Sequence, residues 1–224
     1  MNRRILLGVT GSIAAYKAVE LVRLFVKNGD TVNVVMTPAA CEFVRPLTFQ
    51  TLSRNPVYVD QFAPPVSWKP EHISLAESAD LVLVAPATAN TIAKMRYGLA
   101  DNLLTATLLA TRAPIAIAPA MNTGMWESPV TQENIAALKA RGITVVEPVD
   151  GELACGVKGN GRMMEPGKVF ELLQLGVFGL IGVKRVRRVQ TLNDSITQTL
   201  SPAPSSGRCP SRRRRARRRP DRPP

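Results

Sequence analysis

A small, flexible turn within residues 8–17, Gly-Val-Thr-Gly-Ser-Ile-Ala-Ala-Tyr-Lys, has the composition of an anion site. It lies between an apolar run and a predicted helix, where backbone N–H groups are left without acceptors, and the Ser12 hydroxyl adds another donor. The spacing of its glycines matches neither a Walker loop nor the dinucleotide fingerprint. The sequence therefore leaves two interpretations open, a phosphate site and an ordinary tight turn.

Two further polar segments follow predicted strands. Thr37, in Met36-Thr37-Pro38, either caps the next helix or contacts a ligand, and capping is favoured. Residues 85–91, Ala-Pro-Ala-Thr-Ala-Asn-Thr, carry small side chains that let a flat ring or a phosphate approach the backbone closely. Capping of the following helix by Thr88 or Asn90 is the alternative for this loop.

Asn122 marks a fourth segment, residues 119–126. Its side-chain amide can donate hydrogen bonds to a carboxylate. The neighbouring Met121, Met125 and Trp126 favour a pocket at this strand end, although plain core packing explains them as well.

Two side chains carry chemistry that these loops lack. His72 is the only histidine of the chain, and the residue type alone favours a structural or surface role. Cys155 lies among four glycines between residues 151 and 161, which predicts a mobile loop. Lys158 and Arg162 lie close to it in sequence and favour the thiolate form of Cys155.

The three cysteines do not have the spacing of a disulfide framework. Cys41 lies in an apolar helix pattern and is predicted to be a core residue, and Cys209 lies near the end of the chain. Three cysteines without a CxxC pair predict neither disulfides nor a metal site.

Strands and helices alternate along the first 175 residues. Apolar runs predict strands at 4–9, 31–36, 81–85, 114–118 and 143–147. Helices are predicted at 12–28 with Ser12 as N-cap, and at 38–44, 90–97, 101–111 and 129–141. This alternation predicts a doubly wound parallel sheet in three α/β/α layers, with ligands bound beyond the carboxyl ends of its strands.

Length and composition allow one full domain and a tail. The chain has 224 residues, of which 45% are hydrophobic. Its apolar runs are far shorter than the roughly 20 residues of a membrane helix, and its N-terminus does not read as a signal sequence, so we expect a cytoplasmic protein. We expect residues 1–175 to form the domain and residues 176–224 to form a disordered tail rich in arginine and proline.

The net charge of +12 belongs almost entirely to this tail. Residues 1–180 hold 16 Lys and Arg against 15 Asp and Glu, whereas residues 181–224 hold 13 against 2. Nucleic-acid binding would rest on the arginine run at 212–219 and would be weak and salt-dependent. No aromatic residue flanks that run to stack on bases, so we expect no nucleic-acid partner.

Taken in order, five motifs resemble the flavin-containing cysteine decarboxylases. They are the Gly-Ser-Ile turn, His72, the loop at 86–91, Pro-Ala-Met-Asn-x-x-Met-Trp at 119–126, and Ala-Cys-Gly-x-x-Gly-x-Gly-Arg-Met at 154–163. The likeness is strongest to the branch that decarboxylates 4'-phosphopantothenoylcysteine to 4'-phosphopantetheine in coenzyme A biosynthesis. It implies a flavodoxin-like fold, an FMN cofactor, no metal and a homo-oligomer, either a trimer or a dodecamer.

The resemblance also implies roles for individual residues. His72 matches the catalytic histidine, Asn122 the residue that holds the substrate carboxylate, and Cys155 the proton donor on a loop that covers the substrate. The implied FMN contacts are Gly11, Ser12, Ile13, Thr37, Thr88, Ala89, Asn90, Thr91 and Ala120. The implied substrate contacts are Asn122, Met125, Lys158, Arg162 and Met163.

The implied chemistry avoids an unstabilised carbanion. Oxidation of the substrate thiol by the flavin gives a thioaldehyde, whose thiocarbonyl accepts the electron pair as CO2 leaves. The enethiol is then reduced with the same electrons and a proton from Cys155, so no external reductant is needed. His72 would help to deprotonate the thiol or to position the substrate.

The end of the chain departs from this pattern. Two-domain relatives continue into a half that ligates cysteine to phosphopantothenate, whereas Lys184-Arg185-Val186 leads here into the arginine-rich segment. We expect no ligase activity, and we interpret the chain as a truncated or frameshifted reading of a bifunctional protein.

Other functions within this fold are alternatives. One is a non-catalytic FMN-binding regulator, against which the joint presence of His72, Asn122 and Cys155 speaks. Another is a flavoenzyme that acts on peptidyl cysteine, or a flavin prenyltransferase, which the Met-Asn motif and the Cys155 loop fit less well.

Removal of residues 190–224 is expected to leave FMN binding and decarboxylation unchanged, because this segment contributes no residue to the predicted site. The flavin absorption spectrum and the CO2 release of the shortened protein test this expectation. Loss of the flavin spectrum on truncation would show that the tail is needed.

Overall fold

The structure, a computed structural model, describes residues 2–63, 68–152, 156 and 158–174, with the backbone alone at residues 152 and 158. A six-stranded parallel sheet forms its centre, in the order β3-β2-β1-β4-β5-β6. The strands are β1 Arg4–Val9, β2 Thr31–Met36, β3 Val57–Tyr58, β4 Leu81–Ala87, β5 Ile115–Pro119 and β6 Thr144–Val145. A separate antiparallel hairpin follows, formed by β7 Val149–Glu152 and β8 Lys158–Arg162.

Helices cover both faces of the sheet. They are α1 Ala15–Lys27, α2 Pro38–Cys41, α3 Pro46–Ser53, α4 Glu71–Ser78, α5 Ala89–Tyr97, α6 Leu103–Ala110, α7 Thr123–Glu127, α8 Pro129–Ala140 and α9 Pro166–Gln174. Successive residues of β1 point to opposite faces, so Ile5 and Leu7 join a first core with α1 and α9, and Leu6 joins a second core with α5, α6 and α8. The predicted three-layer, doubly wound architecture is confirmed.

Strand β3 extends a flavodoxin-like sheet by one edge strand. Without it the order is β2-β1-β4-β5-β6. Counted along the chain without β3, this is the order 2-1-3-4-5 of flavodoxin-like folds. Strand β3 has only two residues and pairs with Val34 and Val35 of β2. Two residues are too few to show an apolar period, so the sequence pattern did not predict this strand.

Several other elements differ from the sequence prediction. Strands β1 and β2 have the predicted bounds, whereas α1 starts at Ala15 and α2 ends at Cys41. The pattern missed α3, α4, α7, α9 and the hairpin. Helices α3 and α4 bury only two residues each, among them Phe49 and Leu75, and so show too little apolar periodicity to be recognised.

The predicted tail, residues 176–224, lies outside the described residues, so the boundary at residue 175 stays a prediction. None of the described helices combines the length and the apolar character that crossing a membrane requires.

Two acidic side chains hold the start of β1. The buried Asp30 carboxylate accepts hydrogen bonds from the Arg3 backbone at 3.1 Å and from the Arg3 guanidinium at 2.9 Å. Asp80 binds Arg4 in the same way but at the surface. Burial raises the pKa of the Asp30 carboxyl, but hydrogen bonds from Arg3 and Asn28 outweigh it and hold that pKa below its ordinary value.

Asp30→Asn is expected to lower the free energy of unfolding by about 2 kcal/mol at pH 7, because a buried, charged hydrogen-bond pair is lost. Since the pKa of Asp30 is lower in the folded protein, this stabilisation is present above the unfolded pKa of about 3.9 and is lost as the pH falls through the folded pKa. Urea unfolding of both proteins at pH 7 and at successively lower pH measures the two effects.

Asp80→Asn is the matched control. Its hydrogen bonds to Arg4 have the same pattern, but both side chains are exposed, so the expected loss is below about 1 kcal/mol. Equal losses in the two variants would contradict the role given to burial.

Candidate active site at the carboxyl edge of the sheet

The strand order reverses between β1 and β4, which is the position where open α/β sheets bind their ligands. All strands of the sheet run parallel, so the segments after β1, β2, β4 and β5 leave from the same edge. The structure therefore brings together the four segments selected from the sequence, which carry Ser12, Thr37, Thr88 and Asn122.

The segment after β1 turns before its helix begins. Helix α1 starts at Ala15 with Ala14 as N-cap, so the prediction that Ser12 caps this helix is wrong. The Ser12 hydroxyl instead accepts a hydrogen bond from the Ala14 N–H at 3.3 Å. Within the described part of the chain, the backbone N–H groups of Gly11 and Ile13 have no acceptor. Two such donors and a hydroxyl at the start of a 13-residue helix suit an anion.

Gly11 brings this turn against the segment after β2. A Cβ at Gly11 would lie 2.6 Å from the Cβ of Ala39, closer than two carbon atoms can pack. Thr37 caps α2, because its Oγ1 accepts from the Ala40 N–H at 3.3 Å, and its own N–H donates to Val9 O at 3.0 Å. The capping interpretation of Thr37 is confirmed, and its contact with a ligand stays a prediction.

The loop after β4 is held by two threonines. Thr88 caps α5 by accepting from the Thr91 N–H at 3.3 Å, whereas Asn90 is exposed and makes no cap. The Thr88 N–H donates to the hydroxyl of Thr10 at 3.1 Å, and that hydroxyl donates to Pro86 O at 2.7 Å. The sequence analysis did not single out Thr10, because its partners lie 76 and 78 positions away in the chain.

Asn122 is the N-cap of α7, and its Oδ1 accepts from the Gly124 N–H at 2.8 Å. The NH2 end is the only end of a side-chain amide that can donate to a carboxylate, because the amide oxygen is an acceptor. Trp126 is buried in the second core, while Met125 is 50% exposed. The prediction that Trp126 lines a pocket around Asn122 is therefore wrong, because this side chain is buried in the second core.

The hairpin packs on the segment after β5 through two glycines. The Met121 N–H donates to Gly161 O at 3.0 Å. A Cβ at Gly161 would lie 2.4 Å from Met121 O, and a Cβ at Gly159 would lie 2.4 Å from Thr123 Oγ1. The prediction of a mobile loop is thus wrong for the paired residues of β7 and β8, which form a hairpin. Gly159 and Gly161 let this hairpin pack closely against Thr123 and Met121.

Lys17 anchors the far end of the hairpin. It is 4% exposed, and its Nζ donates to Met163 O at 2.7 Å and to Glu165 Oε1 at 3.0 Å. Arg162 donates to the same Glu165 oxygen at 2.7 Å. The hydrogen bond from Lys17 is the main cause that holds the pKa of Glu165 below its ordinary value. The sequence analysis did not single out Lys17. Its place on the apolar face of α1, four positions before Leu21, is the signal that could have identified it as a buried lysine.

The structure describes only some of the remaining predicted residues. Cys155 and the side chain of Lys158 are not among the described groups. His72 is half-buried in the first turn of α4, and no described residue forms a hydrogen bond with it. Met163 is buried in the first core. Cys41 packs against the same core, as predicted, and burial raises the pKa of its thiol.

Acidic, histidine and cysteine side chains do not cluster into a metal site anywhere in the described ranges.

The family model described as Flavoprotein matches residues 1–176. The coenzyme A biosynthesis bifunctional protein CoaBC of Bacillus subtilis is 49% identical over 173 residues, which are 77% of this chain and 43% of that protein. A probable phosphopantothenoylcysteine decarboxylase of Streptococcus mutans is 46% identical over 176 residues, which are 78% of this chain and 98% of that protein. The chain thus spans less than half the length of the CoaBC relative and nearly all of the S. mutans relative.

Solved structures resemble the same part of the chain. A mutant PPC decarboxylase complexed with pantothenoylaminoethenethiol matches with a TM-score of 0.71 and 34% identity, over 78% of this chain and 98% of that one. The FMN binding protein AtHal3 matches with a TM-score of 0.68 and 34% identity, over 78% of this chain and 96% of that one.

Gly161→Ala is expected to destabilise the protein by about 1–3 kcal/mol, because its φ of +133° is strained for any side chain and its Cβ would collide with Met121 O. Gly167→Ala, in α9, meets no atom within 4 Å and is expected to be neutral or to stabilise by up to about 1 kcal/mol. Urea unfolding compares the two variants, and hydrogen exchange of the Met121 amide reports whether the hairpin stays docked. The same small effect in both variants would contradict the close packing described here.

Proposed function

The chain belongs to the flavoprotein family, and on that premise we propose that it binds FMN at the carboxyl edge of the sheet and decarboxylates 4'-phosphopantothenoylcysteine to 4'-phosphopantetheine. The observation that carries the proposal is the meeting of three features at one edge. They are the turn at residues 11–13, the small-residue loop at 88–91 and the amide of Asn122. The names of the S. mutans relative and of the solved PPC decarboxylase support the same activity, and the name of AtHal3 supports FMN binding.

The donors of this edge fit the phosphate of FMN. The Gly11 and Ile13 N–H groups, which have no acceptor in the described part of the chain, would hold the phosphate together with the Ser12 hydroxyl. The dipole of α1 favours an anion at this point. Thr37, residues 88–91 and Ala120 would contact the rest of the cofactor. When bound, FMN supplies the two-electron oxidation of the substrate thiol and the return of those electrons.

Three side chains would act on the substrate. The NH2 group of Asn122 donates to the substrate carboxylate and holds it until CO2 leaves. Cys155 gives the proton that the enethiol needs when it is reduced. His72 helps to deprotonate the substrate thiol or positions it.

Four further residues complete the proposed substrate site. Lys158, Arg162 and Met125 would contact the substrate directly. Met163 would act indirectly from beneath the hairpin, because its side chain is buried.

We also propose that the protein is a cytoplasmic homo-oligomer, a trimer or a dodecamer, whose sites are shared between subunits. Large apolar side chains are exposed on and beside α1 and α3: Ile13 is 57%, Tyr16 60% and Leu47 69% exposed. Exposed apolar groups of this size are typical of protein interaction surfaces, and a second copy is the proposed occupant. No nucleic-acid partner is proposed.

The first experiment is the visible spectrum of the purified protein, followed by an assay of CO2 release from phosphopantothenoylcysteine. We expect a flavin spectrum and turnover. Cys155→Ser is expected to keep the spectrum and to lower turnover at least about 100-fold, because the proton donor is lost. Cys41→Ser is the matched control and is expected to keep both, since this thiol packs against the core and a serine hydroxyl can keep its hydrogen bond to Thr37 O.

The other outcomes separate the alternatives. A yellow protein without turnover of any cysteine derivative would favour the regulator. Turnover of peptides that end in cysteine, but not of phosphopantothenoylcysteine, would favour a peptidyl-cysteine decarboxylase. A colourless protein that does not take up added FMN would overturn the proposal.

A further inference from the structure

The hydroxyl of Thr10 joins two segments of the candidate site. It donates to Pro86 O at 2.7 Å and accepts from the Thr88 N–H at 3.1 Å, and the residue is 1% exposed. The Thr10 carbonyl meanwhile accepts from the Ser12 N–H at 2.8 Å. One buried residue therefore shapes the turn after β1 and holds the loop after β4 beside it.

The bridge also reaches the segment that carries Asn122. The two partners of the Thr10 hydroxyl flank Ala87, whose carbonyl accepts from the Ala120 N–H at 3.1 Å. A displacement of residues 86–88 would thus move the α5 cap and the start of the segment after β5 together. Thr107 is a buried threonine without such long-range contacts. Its hydroxyl donates to Leu103 O of its own helix at 2.7 Å and so joins no separate segments.

We propose that Thr10 is a positioning residue for the cofactor: its hydroxyl sets the separation between the turn at residues 11–13 and the loop at residues 88–91, and thereby the affinity for FMN. This inference rests on the proposed function. Valine has nearly the shape of threonine but can neither donate to Pro86 O nor accept from the Thr88 N–H. Loops held in the binding geometry before the ligand arrives bind it more tightly than loops that the ligand must order.

The test compares Thr10→Val with Thr10→Ser, which keeps the hydroxyl, and with Thr107→Val, which removes an equally buried hydroxyl elsewhere. The first readout is the rate of FMN release from the full-length holoprotein, followed by the fluorescence of the free flavin after dilution. We expect release to be roughly tenfold faster or more in Thr10→Val, from the loss of one or two net hydrogen bonds, and near wild type in the two other variants.

The second readout needs no bound cofactor. In the flavin-free protein, the Thr88 amide is expected to exchange its hydrogen at least about tenfold faster in Thr10→Val than in the wild type, Thr10→Ser or Thr107→Val, because its acceptor is gone. Unchanged exchange and unchanged FMN release in Thr10→Val would overturn the inference. It would also be overturned if Thr107→Val accelerated FMN release as much, since the effect would then follow general stability.

Failure of the inference and failure of the proposed function are distinguishable. A wild-type protein that binds no FMN would overturn the proposed function and with it the role of Thr10 in cofactor affinity. The exchange of the Thr88 amide would still decide whether the hydroxyl holds the two loops together.

Discussion

The parallel pairing of β1 with both β2 and β4 is the constraint on which the site depends. In these registers Gly8 lies opposite Val35 on one side and Val84 on the other. Strands β1 and β2 end one residue beyond this level, and β4 ends three residues beyond it. Each of these strands is followed by a helix, so the segments that join strand to helix lie at the same edge of the sheet. The turn at residues 11–13 and the loop at residues 88–91 are neighbours because of this pairing, although almost eighty residues separate them in the chain.

Small residues let the segments at this edge touch one another. Gly11 allows the turn after β1 to lie against Ala39, and Gly161 allows the hairpin to lie against Met121. Backbone hydrogen bonds then join the contacting segments, as between Met121 and Gly161. The glycines of these motifs thus have a steric role, because a single Cβ would separate surfaces that backbone atoms now share. The flexibility that their composition indicates is a weaker explanation for the paired positions.

Helix α1 links the turn at residues 11–13 to the hairpin. The helix begins shortly after the turn at 11–13, and Lys17, its third residue, reaches from its buried face to Met163 O and Glu165. A buried ammonium group is costly unless acceptors surround it, so Lys17 ties the end of the hairpin to the helix. The hairpin that leads to Cys155 in sequence and the turn proposed to hold the phosphate are therefore fixed to the same rigid element.

The amino-acid sequence alone determined the doubly wound architecture and the four segments that carry polar groups, because apolar periodicity is a local property that each strand and long helix shows by itself. It also singled out Asn122 and Thr88, whose polar side chains follow closely on buried strands. Tertiary structure alone decided how those polar groups are used: Thr37 and Thr88 cap helices, Ser12 does not, and Trp126 packs into the core. The hydrogen bonds of the Thr10 hydroxyl could not be predicted from the sequence either. A hydrogen bond or a close contact depends on the distance between two atoms, and for residues dozens of positions apart only the folded chain sets that distance.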